Sequence, residues 1–204
     1  MNIQRLKEAE AKFLLRYPKG FADPDMEAVV KKHRMVKMVE QTRDLFREAN
    51  FARPQTVVDN LVKTVSQSSM VSVFEKPKFR DFCRALTAEE RELLASALEA
   101  QLHGSQQAGF EMMLDLLKAR KLGKWTLMTI TPLYFRPEEE VFVKPNTVKA
   151  IIKSLELPNL EYRPTPSWEF YSEFRRQVME MKTLVDPSIS TNNAGFTGFL
   201  MMTL

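Results

Sequence analysis

Apolar residues recur every three or four positions along most of the chain, which is the spacing of helices with one buried face. The pattern starts at once, because Leu6 and Phe13 share such a face within residues 3–17. The longest predicted helix follows Pro24 and runs to about Asn50. Further helical patterns begin near residues 54, 78, 87, 106, 145 and 167. The sequence therefore predicts a mostly α, multi-helical protein with about seven or eight helices.

Capping and turn residues support these boundaries. Asp23 and Pro24 read as an N-cap followed by a first-turn proline, and Thr87 with Glu90 forms a capping-box sequence. Residues 66–78 are polar and then interrupted by proline, a pattern that predicts a loop. This loop is the best candidate for a hinge. No shift in composition marks a domain boundary, and a single helical domain over residues 1–204 is expected.

Residues 125–135 leave two structures open. The segment reads WTLMTITPLYF, and its β-branched and aromatic residues favour a strand. Pro132 cannot lie in a central strand, however, and a kinked buried helix fits equally well. The sequence predicts at most a small β element near 124–144, and it leaves 124–136 open between strand and kinked helix.

Composition excludes several classes of protein. The chain is 44% hydrophobic and 27% charged, which is typical of a soluble globular protein. No apolar run approaches the ~18 residues that a transmembrane helix needs. Charges within the first ten residues argue against a signal peptide. Cys83 is the one cysteine, so no intrachain disulfide forms and a cytoplasmic location is expected.

Residues with catalytic or metal-binding chemistry are few. His33 lies on a charged helix face and His103 at a helix end, and with one cysteine they offer no convergent metal-ligand set. The acidic run 138–140 with Lys144 suggests a magnesium-dependent nucleic-acid enzyme, but the customary acid-x-Lys spacing is missing. That enzyme is the lowest-ranked alternative. The sequence predicts no catalytic residue, no metal site and no cofactor.

Nucleic-acid binding is the leading functional hypothesis, within a non-catalytic accessory protein that binds a macromolecule. The net charge of +4 permits such binding, and basic residues alternate with aromatic ones over 118–125 and 144–176. Basic side chains would contact phosphates, and a tryptophan would stack on an unpaired base. The candidate residues are Lys118, Arg120, Lys121, Lys124, Lys144, Lys149, Lys153, Arg163, Trp168, Arg175 and Arg176. The competing interpretation is solvated helix faces with the tryptophans in the core.

The apolar C-terminal tail carries a second hypothesis, a structural or regulatory module that forms a homodimer or binds a protein partner. Its side chains are too apolar to remain in water, so they pack on their own domain or on another chain. The candidate interface residues are Phe196, Phe199, Leu200, Met201 and Met202. Methionine adapts well to such surfaces.

Short motifs near both ends resemble those of a group of uncharacterised bacterial proteins. Residues 13–24 read FLLRYPKGFADP and look like their F…FPGGF.DP signature, with Lys19 where that pattern favours glycine. Residues 141–145, VFVKP, are similar to their FLKP motif, and residues 160–171, LEYRPTPSWEFY, to their L.Y.P..NW..Y motif. The resemblance implies a bacterial cytoplasmic protein of unassigned activity.

Overall fold

The computed structural model describes residues 1–204 and contains eleven α-helices, four short 3-10 helices and no strand. The α-helices are α1 Ile3–Arg16, α2 Glu27–His33, α3 Met35–Leu45, α4 Pro54–Gln67, α5 Glu75–Arg84, α6 Ala88–His103, α7 Gln106–Ala119, α8 Trp125–Phe135, α9 Pro145–Ser154, α10 Trp168–Thr183 and α11 Asn193–Thr203. The helical class is confirmed, and the predicted number of helices is too low. None of the helices is both long and apolar enough to cross a lipid bilayer.

The predicted long helix over residues 24–50 is wrong. A 3-10 turn, Pro24–Met26, is followed by α2, and Arg34 then adopts a left-handed conformation with φ 48° before α3 begins. A left-handed residue cannot continue a right-handed helix, so the chain turns there. Helix α2 has no buried residue, whereas α3 buries Met38 and Thr42.

Helix α8 lies at the centre of the fold, and it settles the choice between strand and kinked helix. Ten of its eleven residues are buried, and it contacts α3, α4, α6 and α7. A helix that is apolar all round shows no 3.6-residue period, which is why the sequence left the segment open. Pro132 lies inside it. The following residues 141–143 are buried in an irregular segment, so the allowed β element is not formed.

The C-terminal tail folds into α11 and packs on α1. Phe196, Phe199 and Leu200 have no exposed surface, and the rings of Phe13 and Phe199 lie 5.3 Å apart. These side chains belong to the core of their own chain, which comprises 49 buried apolar residues in one cluster. Met201 and Met202 remain exposed.

The candidate hinge at 66–78 is shorter than expected, because α4 continues to Gln67 and α5 already begins at Glu75. The connection between them is fastened to the core. Ser68 is buried, its Oγ lies 2.9 Å from the hydroxyl of Tyr134, and Val71 is buried as well. Hinge motion in this segment stays a prediction.

Cys83 is expected to resist thiol reagents in the folded protein. Its side chain is buried in α5, and burial, with a smaller contribution from Asp59, raises the pKa of the thiol to about 12. Only the thiolate is nucleophilic, so at pH 8 the folded chain should react with iodoacetamide far more slowly than the chain in urea. Mass spectrometry of both samples measures the difference. Equal rates would contradict the burial of Cys83.

Candidate nucleic-acid interface

Three of the predicted lysines lie on α9 and its N-cap. Pro145 occupies the first position of the helix, and Lys144 precedes it as the cap residue. Lys144, Lys149 and Lys153 are all exposed. No carboxylate lies within 4 Å of any of these ammonium groups. Helix α9 therefore presents positive charge that the protein itself does not neutralise.

An aromatic layer supports this helix face. The ammonium group of Lys149 lies 5.6 Å from the ring centre of Tyr162, a cation–π distance. The ring of Tyr162 contacts Phe170 at 6.0 Å, and Phe170 contacts Trp125 at 5.1 Å. The aromatic residues of this region thus form a packed layer beneath the lysine.

A second group of lysines lies where α7 ends and α8 begins. Lys118, Lys121 and Lys124 are exposed, and none of them has a carboxylate within 4 Å. Lys121 has φ 58°, which helps the chain to leave α7 and turn into α8. These side chains also lack a counterion in the folded chain. We call the six side chains of the two groups the free lysines.

A groove of about 500 Å³ lies next to Trp125, but its chemistry does not suit phosphate. The indole of Trp125 is buried and its N–H donates to the carbonyl oxygen of Arg163 at 2.8 Å, so the ring is not available to stack on a base. Glu161 and Glu169 also line the groove. Arg163 lines the groove too, but it is paired with Glu161, so the remaining negative charge repels an anion.

Most of the predicted arginines are neutralised by carboxylates on their own surface. Arg120 lies 3.1 Å from Glu90, and Arg163 lies 3.2 Å from Glu161. Arg176 contacts two glutamates of α10, Glu173 at 2.8 Å and Glu180 at 3.1 Å, and its hydrogen bonds hold the pKa of Glu173 at about 2. The two remaining candidates are Trp168 and Arg175, which contact each other on α10.

Arg175 belongs to a buried charge cluster centred on Glu140. The Glu140 side chain is 1% exposed, and the Arg175 guanidinium lies 3.0 and 3.1 Å from its two carboxylate oxygens. The hydroxyl of Tyr171 donates to the same carboxylate at 2.5 Å, and Gln106 donates to it as well. Burial and the charge of Glu140 raise the pKa of Tyr171, so its hydroxyl remains a donor.

The cluster also fastens the C-terminal helix and contacts a partly buried tryptophan. Asn193, the first residue of α11, donates to the backbone oxygen of Glu140 at 2.9 Å and accepts from Lys182 at 2.7 Å. The Arg175 guanidinium lies 5.5 Å from the ring centre of Trp168, which also contacts Phe110. Trp168 packs partly buried against the core and Arg175 is paired with Glu140, so neither belongs to the proposed surface.

The acidic run 138–140 does not form a shared carboxylate site. Glu138 and Glu139 are exposed, whereas Glu140 points into the protein, where side-chain donors occupy both of its oxygens. No three His, Cys, Asp or Glu side chains lie close enough together to hold a metal ion. His103 instead lies 2.8 Å from the carbonyl oxygen of Phe46.

The chain matches no protein-family model, no curated protein and no solved structure. Residues of the motifs that resemble those of a group of uncharacterised bacterial proteins make structural contacts within the fold. Gly20 has φ 60° and lies against Ser188, and Tyr171 contacts Glu140. Membership of that group stays a prediction.

Proposed function

We propose that the protein is a non-catalytic nucleic-acid-binding protein that contacts phosphates through the six free lysines. One observation supports this function. Among the candidate basic residues, the lysines of α9 and of the α7–α8 connection are exposed without a carboxylate, whereas the arginines are paired. Cations without a protein counterion can neutralise phosphates, and they then release the counterions that are condensed on the nucleic acid.

The proposal predicts a defined salt dependence. Each phosphate contact on a single strand adds about 0.7 to the slope of log affinity against log salt, so six contacts give a slope of roughly −4. Replacing Lys144, Lys149 and Lys153 together by alanine leaves three contacts and a slope of roughly −2. Fluorescence anisotropy with labelled single-stranded DNA, duplex DNA and RNA, at about 50 and 200 mM salt, measures both slopes.

A matched control separates a specific surface from net charge. Replacing Arg120, Arg163 and Arg176 by alanine also removes three positive charges, but these side chains are already paired. The slope of this variant should stay near that of the parent. Equal losses in the two triple variants would mean that only overall charge matters. No binding to any of the probes at about 50 mM salt would contradict the proposal.

A further inference from the structure

A corner between α2 and α3 collects cations from segments far apart in sequence. Lys32 and His33 end α2, and Arg34 forms the joint to α3. The corner contacts the connection that follows α4. His33 Nδ1 lies 2.9 Å from Ser69 Oγ, and Arg34 donates to the carbonyl oxygen of Gln67 at 3.5 Å.

Lys144 reaches the same corner from the start of α9. The pKa of His33 is lowered, mainly by partial burial and then by the charges of Lys32 and Lys144. Two segments far apart in sequence, residues 32–34 and Lys144, therefore supply the basic groups of this corner, and a third segment supplies the hydroxyl of Ser69. We call this set the α2–α3 corner: Lys32, His33, Arg34, Ser69 and Lys144.

The corner carries positive charge that the protein does not offset. Lys32, Arg34 and Lys144 have no carboxylate within 4 Å. The neighbouring Lys31, by contrast, is paired with Glu27 at 2.6 Å. Gathering like charges is unfavourable in the free protein, and a bound anion would relieve that repulsion.

Arg34 is an uncommon residue for its backbone conformation. Its φ of 48° and ψ of 40° are left-handed, where glycine or asparagine is the usual residue. Other side chains are strained there, because the Cβ atom comes too close to the following carbonyl oxygen. The local backbone thus gains nothing from arginine, whose guanidinium makes one long hydrogen bond, to the carbonyl oxygen of Gln67 at 3.5 Å, and has no carboxylate partner.

We propose that the α2–α3 corner binds a phosphate group, with Lys32, Arg34 and Lys144 as cationic contacts and Ser69 and His33 as hydrogen-bonding groups. A guanidinium, two ammonium groups and a hydroxyl are the donors that phosphate oxygens accept from. The inference deepens the proposed function. It rests on that function only for the source of the phosphate group. Lys144 belongs to both surfaces, so a phosphate of the nucleic-acid backbone is the expected occupant.

The test uses the imidazole of His33 as a reporter. Inorganic pyrophosphate is titrated into the full chain at low salt, and the ring signals of both histidines are followed by NMR over a range of pH. A phosphate next to His33 stabilises the imidazolium, so the His33 pKa should rise on binding while His103 serves as the internal control. The apparent Kd for pyrophosphate comes from the same titration.

Arg34→Gly is the decisive variant, because glycine accepts the left-handed conformation while the guanidinium and its long hydrogen bond to Gln67 are lost. We expect pyrophosphate to bind roughly tenfold more weakly to Arg34→Gly, in line with the loss of a charge-assisted contact. Lys31→Ala is the matched control, since it removes an adjacent cation that is already paired with Glu27. Its affinity for pyrophosphate should match that of the parent.

The outcomes separate this inference from the proposed function. No shift of His33 with pyrophosphate, or equal affinities of the parent and Arg34→Gly, would overturn the phosphate site. Oligonucleotide binding that persists in either case would leave the free lysines as the proposed surface. Pyrophosphate binding without any oligonucleotide binding would support the corner as a site for a free or small-molecule phosphate, and it would contradict the nucleic-acid function.

Discussion

Replacing Glu140 by alanine should lower the free energy of unfolding by about 3 kcal/mol, at the lower end of the range for breaking a buried ion pair. The carboxylate is 1% exposed, and its removal leaves the guanidinium of Arg175 without a carboxylate and that of Arg136 with the exposed Glu139 alone. Both arginine side chains are less than one-third exposed, so water compensates only in part. The hydroxyl of Tyr171 also loses its acceptor. Urea unfolding followed by circular dichroism measures the change.

The adjacent Glu139 gives a matched control for this prediction. Its side chain is 68% exposed and lies 3.8 Å from Arg136, so it makes the same type of ion pair in water. Exposed pairs of this kind contribute little, and Glu139→Ala should change the unfolding free energy by less than about 0.5 kcal/mol. Similar losses in both variants would show that Glu140 is not a buried anchor. Glu140→Gln, which keeps the shape but not the charge, should fall between them.

Helix boundaries set by neighbouring residues could be predicted from the sequence. Thr87 Oγ1 accepts from the Glu90 amide at 3.2 Å, and the Glu90 carboxylate accepts from the Thr87 amide at 2.9 Å, as the capping-box sequence indicates. Pro54 and Pro145 each occupy the start of a helix. These signals depend on groups within three or four residues of each other, so they do not depend on the rest of the fold.

The division between α2 and α3 could not be predicted in the same way. Arg34 has a good helix propensity, and no glycine or proline marks the joint. The contacts of the joint are made with Gln67 and Ser69, which are more than thirty residues away. The left-handed conformation of Arg34 is thus a result of tertiary structure. The local sequence pattern alone predicts a helix that continues through this residue.

The candidate surface was predictable in composition but not in detail. The sequence identified the basic segments, and the spacing of Arg176 from Glu173 and Glu180, at three and four residues, could have indicated that it is paired. The pairing of Arg175 with Glu140 spans 35 residues and depends on how α10 meets the irregular segment before α9. Counting basic residues therefore overstated the free charge, because tertiary pairing decides which cations face a ligand.

Gly109→Ala should destabilise the protein by roughly 3 kcal/mol, the upper part of the range for overpacking a tight core. Gly109 lies where α7 crosses α6. A Cβ atom there would lie 2.6 Å from the carbonyl oxygen of Ala97 and 2.7 Å from the Cα of Gln101, and closer still to the Gln101 nitrogen. All three are backbone atoms, so no side chain can rotate away and the helices must separate. Alanine has the better helix propensity by about 1 kcal/mol, which makes the predicted loss a net effect.

Gly198→Ala makes the same chemical change in α11 with the opposite expected sign. Apart from its chain neighbours and the nearby backbone of α11, no atom lies within 4 Å of the position that its Cβ would take, so only the propensity gain of up to about 1 kcal/mol remains. Comparing the two variants by urea unfolding therefore separates the effect of helix–helix contact on stability from the effect of helix propensity. A Gly109→Ala protein as stable as the parent would mean that α6 and α7 can move apart freely. Such a result would contradict the close crossing on which this part of the core depends, because interiors packed to crystal density do not admit an extra methyl group without displacement.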